Sequence, residues 1–234
     1  MVIKEESALG ILTFFYTRIF EKSEYGIVTE LYAWMVLLLV ILTYGMETGF
    51  FRFAQDRKDY EKVYSTALFS LLITSSLFLI LVNIFIKPVS DALKYSNNHD
   101  YIRMFAAIVA IDAFCAIPFA RLRNDNKPLI FSIIKVTNVI VTIIAVIILL
   151  MIGPKLYETG PSWFRKIYNP AYGVGYVFLA NLIGSAFTLL LLLPYIVRIK
   201  PVFETVLWKR MITYSFPLLI AGLSGSINDA IDKI

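Results

Sequence analysis

The stretch that decides the fold is residues 15–53, FYTRIFEKSEYGIVTELYAWMVLLLVILTYGMETGFFRF. Its centre, Val28 to Met46, is a run of 19 residues with a single charge, Glu30. About 20 mainly apolar residues are what an α-helix needs to cross the roughly 30 Å hydrocarbon core of a bilayer. The stretch therefore predicts a transmembrane helix that has a short polar motif at each end.

The composition extends this prediction to the whole chain. The 234 residues are 59% hydrophobic and 17% charged, with a mean hydropathy of +0.73, whereas soluble proteins carry about 25% charged residues. Gly153-Pro154 is expected to end one apolar run, and a loop to Ala171 to follow it. We predict an all-α, polytopic transmembrane helix bundle with spans near 8–20, 28–46, 64–86, 104–119, 129–152 and 172–197, and a seventh run from Met211.

Charged and metal-binding residues exclude several partners. The formal net charge is +5, but the bases lie in short loops and form no basic tail, so membrane lipids are expected as partners and nucleic acid is not. With the amino terminus placed in the cytoplasm, 12 Lys and Arg residues face the cytoplasm and 8 face outward, which favours that orientation. One cysteine, Cys115, and one histidine, His99, predict neither a disulfide nor a metal site, and no cofactor is expected.

Polar residues recur at helical spacing inside four of the runs. They indicate faces turned away from lipid, although single hydroxyl residues also serve simply to hold helices together. The four stripes are Thr66, Ser70 and Thr74; Ser132, Lys135, Asn138 and Thr142; Asn181, Ser185 and Thr188 beside Gly184; and Gly222, Ser226, Asp229 and Lys233.

Ionisable residues at membrane depth need partners or a wet cavity, because each costs roughly 2.5–3.5 kcal/mol to insert. They are Asp112, Lys135, Asp229, Asp232 and Lys233. From the predicted spans, Asp112 and Lys135 each lie about 10 Å from the cytoplasmic ends of adjacent antiparallel helices, so we predict that they pair. The alternative is that Lys135 reaches the interface alone.

Five short motifs carry a family resemblance. They are YTRIF (16–20), EYG (24–26), YGMETGFFRF (44–53), GYVFLANLIGSAFTLLLLLP (175–194) and YSFPLLIAGLSGSINDAIDK (214–233). In this order the chain resembles Wzx-type polysaccharide flippases of the MOP (multidrug/oligosaccharidyl-lipid/polysaccharide) superfamily, from about Tyr16 to its end.

The resemblance implies a fold of two pseudo-symmetric six-helix lobes around a central cavity. That cavity binds a lipid-linked oligosaccharide and exposes it to each face of the bacterial inner membrane in turn. Residues 1–210 would form the amino-terminal lobe and 211–234 the start of the second. The expected partners are the lipid-linked oligosaccharide and a missing carboxyl-terminal lobe, and the chain by itself is not expected to transport.

Site residues follow from the resembling motifs and from the polar stripes. Arg18 and Arg52 are candidates for contact with the substrate diphosphate, because a guanidinium donates two parallel hydrogen bonds to such a group. The alternative for both is an interfacial anchor. Asn181 is a further substrate-binding candidate. Glu47 either orients Arg52, binds a coupling cation or is a helix-end residue that faces water. No catalytic residue is proposed, so the chain is not expected to be an enzyme.

Two other classes remain open. A drug or cation antiporter of the same superfamily would share the fold. A membrane-embedded polysaccharide polymerase or ligase would be expected to carry a large outer loop with catalytic acids, whereas the longest outer loop predicted here, 153–171, has about 19 residues. A third possibility is a chain without transport activity.

Overall fold

The computed structural model describes residues 22–56 and 58–231, with only the backbone for 22–24, 218 and 220–231. The part of the chain so described is a helix bundle with no β-strand. Its helices are α1 (Lys22–Thr43), α2 (Met46–Phe53), α3 (Tyr60–Ile84), α4 (Ile86–Ala92), α5 (His99–Asn124), α6 (Pro128–Val146), α7 (Gly153–Thr159), α8 (Ser162–Ile167), α9 (Gly175–Val197) and α10 (Thr205–Ile231).

Five segments among these residues are long and apolar enough to cross a membrane. They are Tyr25–Thr43, Tyr60–Ile84, His99–Asn124, Pro128–Thr159 and Gly175–Val197. Large apolar side chains lie exposed on their outer faces, for example Ile73 on α3 and Ile140 on α6, as expected of surfaces that meet lipid. The predicted all-α polytopic bundle is confirmed. The span predicted at 8–20 lies outside the described residues, and the seventh run is part of α10, which begins at Thr205.

Helix α5 is the centre of the bundle and contacts α1, α2, α3, α4, α6 and α9. It is 26 residues long, from His99 to Asn124, whereas the sequence predicted only 104–119. The polar residues at its two ends continue the helix beyond its apolar centre. Arg121 and Arg123 lie in its last turn, where cations interact favourably with the helix dipole.

The fifth span does not end at Gly153-Pro154, and this prediction was wrong. Helix α6 continues through a π-helical turn, Ile147–Ile152, directly into α7. Pro154 lies in the first turn of α7, where its missing N–H and fixed φ are tolerated. Gly153 faces the ring of Tyr168, and a Cβ there would lie 2.5 Å from Cε2 of that ring. The close packing of Tyr168 thus explains the glycine, and the expected loop contains α7 and α8.

The two ends of the bundle differ in chemistry. The end at which α5 leads into α6, here called the basic end, carries Arg121, whose guanidinium contacts Glu61 at 2.7 Å and lies 4.4 Å from the centre of the Tyr64 ring. The opposite end, here called the aromatic end, carries Tyr168, which stacks on Tyr176 with ring centres 4.7 Å apart. Aromatic side chains of this kind are typical of a membrane interface.

The YGMETG motif forms the junction of α1 and α2. Gly45 has φ +70°, a left-handed conformation that favours glycine, and it allows the sharp change of direction between the helices. Gly49 lets α10 approach closely, since a Cβ there would lie 2.6 Å from the Ser215 hydroxyl. The two glycines of this motif therefore have a packing function.

Candidate functional site

A polar cavity of about 550 Å³ lies between α1, α2, α5, α6 and α9. Its volume falls within the roughly 300–1,000 Å³ of small-molecule sites. Apolar side chains of α1, such as Met35 and Leu39, form one wall. The charged and hydrogen-bonding groups that line the rest are Thr43, Glu47, Asp112, Arg123, Lys135, Asn138, Thr142, Asn181, Ser185 and Thr188.

Helices α6 and α9 meet along two of the predicted polar stripes. The Asn138 amide donates a hydrogen bond of 2.9 Å to the Thr188 hydroxyl. A Cβ on Gly184 would lie 2.2 Å from the Thr142 hydroxyl, so only glycine permits this approach. The stripes therefore hold the helices together and also present amide and hydroxyl groups to the cavity.

Asp112 lies at the middle of α5 and faces α9 and α6. Ser185 and Lys135 line the cavity with it and are the polar neighbours that act on its carboxyl group. The Lys135 ammonium is 4.9 Å from the centre of the Phe119 ring, a cation–π arrangement. Asp112 and Lys135 thus line the same cavity, and their pairing stays a prediction.

The equal depth expected for these two residues was wrong, because α5 is longer than predicted. Asp112 is 12 residues before Asn124 and Lys135 is seven after Pro128. At 1.5 Å per residue their backbones lie about 18 Å and 10 Å from the basic end. The Lys135 ammonium lies beside the Phe119 ring, and Phe119 is seven residues from Asp112 toward the basic end, which places a cation between Asp112 and that end of the cavity.

Arg123 and Glu47 line the cavity near the basic end and form an ion pair between α5 and α2. The Arg123 guanidinium also lies 5.2 Å from the centre of the Phe51 ring and 5.7 Å from that of Phe131. Helices α2, α5 and α6 are therefore joined at one side chain. The side chains of Arg123 and Glu47 are 43% and 34% exposed, so both are accessible to a ligand.

The residues predicted for the site are only partly brought together. Asn181 lines the cavity, and its amide donates to the Val177 carbonyl at 2.8 Å. Glu47 lines it too, but its ion pair is with Arg123. Arg52 is exposed at the end of α2, where it contacts Gln55 at 3.5 Å, and it is not among the lining residues. Arg18, Asp232, Lys233 and the side chain of Asp229 lie outside what the structure describes.

The stripe on α3 faces away from lipid as predicted, since Thr66 and Ser70 are buried, but it does not line the cavity. The Ser70 hydroxyl contacts the Tyr44 hydroxyl and accepts a hydrogen bond of 2.6 Å from the Trp208 indole. The Thr66 hydroxyl accepts a hydrogen bond of 3.2 Å from the Glu204 amide. These groups join α3 to α10 and to the segment before it, which is the helix-to-helix role that was left open as the alternative.

Arg123 is a site residue that the sequence prediction missed. A signal was available, because Asp112, Ala116, Phe119 and Arg123 follow one face of a helix at steps of 4, 3 and 4. Ending the predicted span at Phe119 concealed this row.

The fold and the cavity define a multi-pass helical membrane protein with a charged and amide-rich interior. The model of the polysaccharide biosynthesis protein family matches residues 7–234. The chain therefore belongs to this family, which is that of the Wzx-type flippases of the MOP superfamily. Searches of curated proteins and of solved structures gave no match.

Proposed function

We propose that the protein takes part in the translocation of polyprenyl-diphosphate-linked oligosaccharides across the bacterial inner membrane, and that the polar cavity binds the diphosphate sugar. The observation that carries this proposal is the combination of two cations with amides and hydroxyls in a cavity that has an apolar wall. Such a substrate has an anionic, hydroxylated head on a tail that belongs in lipid. The cations of the cavity match the anionic diphosphate, its amides and hydroxyls match the sugar, and its apolar wall matches the start of the lipid tail.

The diphosphate is assigned to Lys135 and Arg123, which lie in the half of the cavity nearest the basic end. Arginine forms bidentate hydrogen bonds with phosphate, whereas lysine acts as a compact charge. A diphosphate entering from this end competes with Glu47 for the Arg123 guanidinium. Substrate binding would thereby loosen the connection between α2 and α5, and this gives binding a route to a conformational change.

The sugar is assigned to the deeper part of the cavity. Asn138, Asn181 and Ser185 supply donors and acceptors that match sugar hydroxyls. Asp112, which lines this part of the cavity with Ser185, is assigned to accept a hydrogen bond from a sugar hydroxyl or to respond to a coupling cation. Arg52, exposed at the basic end, remains a predicted contact for a head group that approaches from the membrane surface.

The side of the membrane at which each end lies is also a proposal. The basic end is assigned to the cytoplasm, since Lys and Arg residues are enriched in cytoplasmic loops. The family consists mainly of transporters and flippases, and we propose transport rather than catalysis. A drug or cation antiporter is the alternative that shares this fold, and its substrate would not need the cations of the cavity.

The test is a binding measurement on the purified protein in lipid nanodiscs. The ligands are a polyprenyl diphosphate sugar and the corresponding polyprenol. We expect the diphosphate sugar to bind more tightly, and Lys135→Gln to weaken it about tenfold or more, because a hydrogen bond to a charged group contributes about 1.5–3 kcal/mol. Lys58→Gln, an exposed lysine that does not line the cavity, is the matched control.

Equal affinity for the two ligands, or equal effects of the two substitutions, would refute the assignment of the diphosphate to the cavity. The antiporter alternative would be supported if an organic cation bound tightly and bound still more tightly to Lys135→Gln. Removal of a positive charge from the cavity favours a cationic ligand.

A further inference from the structure

A second pocket, of about 400 Å³, lies at the aromatic end, and we propose that it binds neutral sugar residues of the oligosaccharide. This inference rests on the proposed function, since it concerns the same substrate. The pocket is formed by the turn before α5 and the 3₁₀ turn before α9. Its lining consists of Asn97, Asn98, His99, Asp100, Tyr101, Arg103, Asn169, Ala171 and Tyr172.

The base of this sugar pocket is held by hydrogen bonds between its two segments. The Tyr101 hydroxyl donates to the Tyr172 carbonyl at 2.8 Å, and the two rings meet edge to face with centres 5.7 Å apart. The Asn169 side-chain oxygen accepts a hydrogen bond of 3.0 Å from the Ala171 backbone N–H. The Asn169 backbone N–H donates a hydrogen bond of 2.9 Å to the Tyr176 hydroxyl. The pocket is therefore preorganised, which lowers the cost of ligand binding.

Two asparagine side chains at the mouth of the pocket are left for a ligand. Asn98 occupies the N-cap position of α5, where an asparagine side chain normally accepts a hydrogen bond from the first turn of the helix. It makes no such bond here. Asn97 and Asn98 are both exposed, and the hydrogen bonds described for residues 22–56 and 58–231 include none from either side chain. Each amide thus offers two donors and one acceptor oxygen.

The charge of the pocket favours a neutral ligand over a phosphate. The carboxylate of Asp100 and the guanidinium of Arg103 are 3.2 Å apart and neutralise each other. Asp100 also lies in the first turn of α5, where it takes the position in which an anion would otherwise be stabilised by the helix dipole. A neutral compound rich in hydroxyls matches the remaining amides and the half-buried Tyr172 ring.

This pocket is distinct from the polar cavity although both lie along α5. The two share no lining residue. Arg103 is nine residues from Asp112, about 13 Å along the helix. The sugar head of a substrate held in the cavity can therefore meet the second pocket at the opposite end of the bundle, where the pocket would receive the oligosaccharide as it leaves.

The test uses sugars that carry neither lipid nor phosphate. Methyl glycosides of glucose, galactose, rhamnose and N-acetylglucosamine are added to the protein in nanodiscs and observed by saturation-transfer difference NMR. We expect at least one glycoside to bind, and Asn97→Leu/Asn98→Leu to weaken it about tenfold through the loss of its amide hydrogen bonds. Gln55→Leu, which removes an exposed amide at the basic end, is the matched control and should leave binding unchanged.

Binding of no glycoside, or equal binding to the double variant, would overturn the proposal. So would competition by inorganic phosphate, which would indicate an anion site. The two sites are tested separately, because loss of diphosphate binding in Lys135→Gln bears on the polar cavity, whereas loss of glycoside binding in Asn97→Leu/Asn98→Leu bears on the second pocket. Circular dichroism confirms folding, and Asn97→Leu alone replaces the double variant if the latter does not fold.

Discussion

The ion pair of Arg123 with Glu47 is expected to keep the basic end of the cavity closed around Cys115. Cys115 lines the cavity, yet it is only 1% exposed, and it is the single cysteine of the chain. A thiol-reactive maleimide must therefore wait for a local opening before it can react. The rate of labelling at fixed pH reports the free energy of that opening.

The size of the effect follows from the contacts of Arg123. A partly exposed ion pair contributes about 0.2–1 kcal/mol, and each of the two ring contacts about 0.5–1 kcal/mol. Arg123→Ala removes all three, so the opening becomes easier by about 2 kcal/mol and labelling about 30 times faster. Glu47→Gln removes only the charge of the pair, and an increase of about twofold to threefold is expected.

Arg121→Ala is the matched control, because it removes an arginine two residues away on the same helix. Arg121 contacts Glu61 and Tyr64 and does not line the cavity. This variant should lower the unfolding temperature while changing Cys115 labelling much less than Arg123→Ala does. Equal acceleration by the two variants would show that labelling reports general destabilisation, and no acceleration by Arg123→Ala would refute the closing role of the ion pair.

Three further outcomes are expected. Gly184→Ala should cost about 1–3 kcal/mol of stability through overpacking against α6, whereas Gly26→Ala, with no atom within 4 Å of the new Cβ, should cost nothing measurable in a thermal unfolding assay. Burial raises the pKa of Tyr168 from 10.0 to about 12, so its contribution to stability is complete below pH 10 and is lost as the pH rises toward 12; Tyr168→Phe should reduce the fall of the unfolding temperature over this pH range. In a cysteine-free background, Trp163→Cys should react with an impermeant maleimide in intact cells and Lys200→Cys should not, and the reverse pattern would show that the proposed orientation is inverted.

The helices were predictable from sequence because lipid imposes a simple rule on length and polarity. The positions at which the helices end were less predictable. At Gly153-Pro154 the strongest local stop signal was outweighed by a π-helical turn and by the packing of Tyr168 on the glycine. At Arg121 and Arg123 the charge of the side chains concealed the last five residues of α5, about one and a half turns. In both places the local sequence pattern left the end of the helix ambiguous, and tertiary contacts determined it.

The site was predictable where polar residues share a helix face, and not where two distant segments meet. The stripes that contain Asn138 and Asn181 pointed to the cavity, since spacing alone puts such residues on one face. The pairing of Glu47 with Arg123 joins residues 76 positions apart, and no spacing rule reveals it. The Ser70 stripe shows the converse limit, because the same pattern serves contact with Trp208 instead of a cavity.

The most direct test of the central proposal is to map where the substrate head lies. A polyprenyl diphosphate sugar with a photoreactive group on the first sugar is crosslinked to the protein in nanodiscs, and the modified peptides are identified by mass spectrometry. The account predicts crosslinks on the cavity faces of α5, α6 and α9, near Asp112, Asn138 and Ser185, and their loss in Lys135→Gln. Crosslinks confined to the outer surfaces, such as the exposed face around Ile73, or crosslinks that Lys135→Gln leaves unchanged, would contradict it.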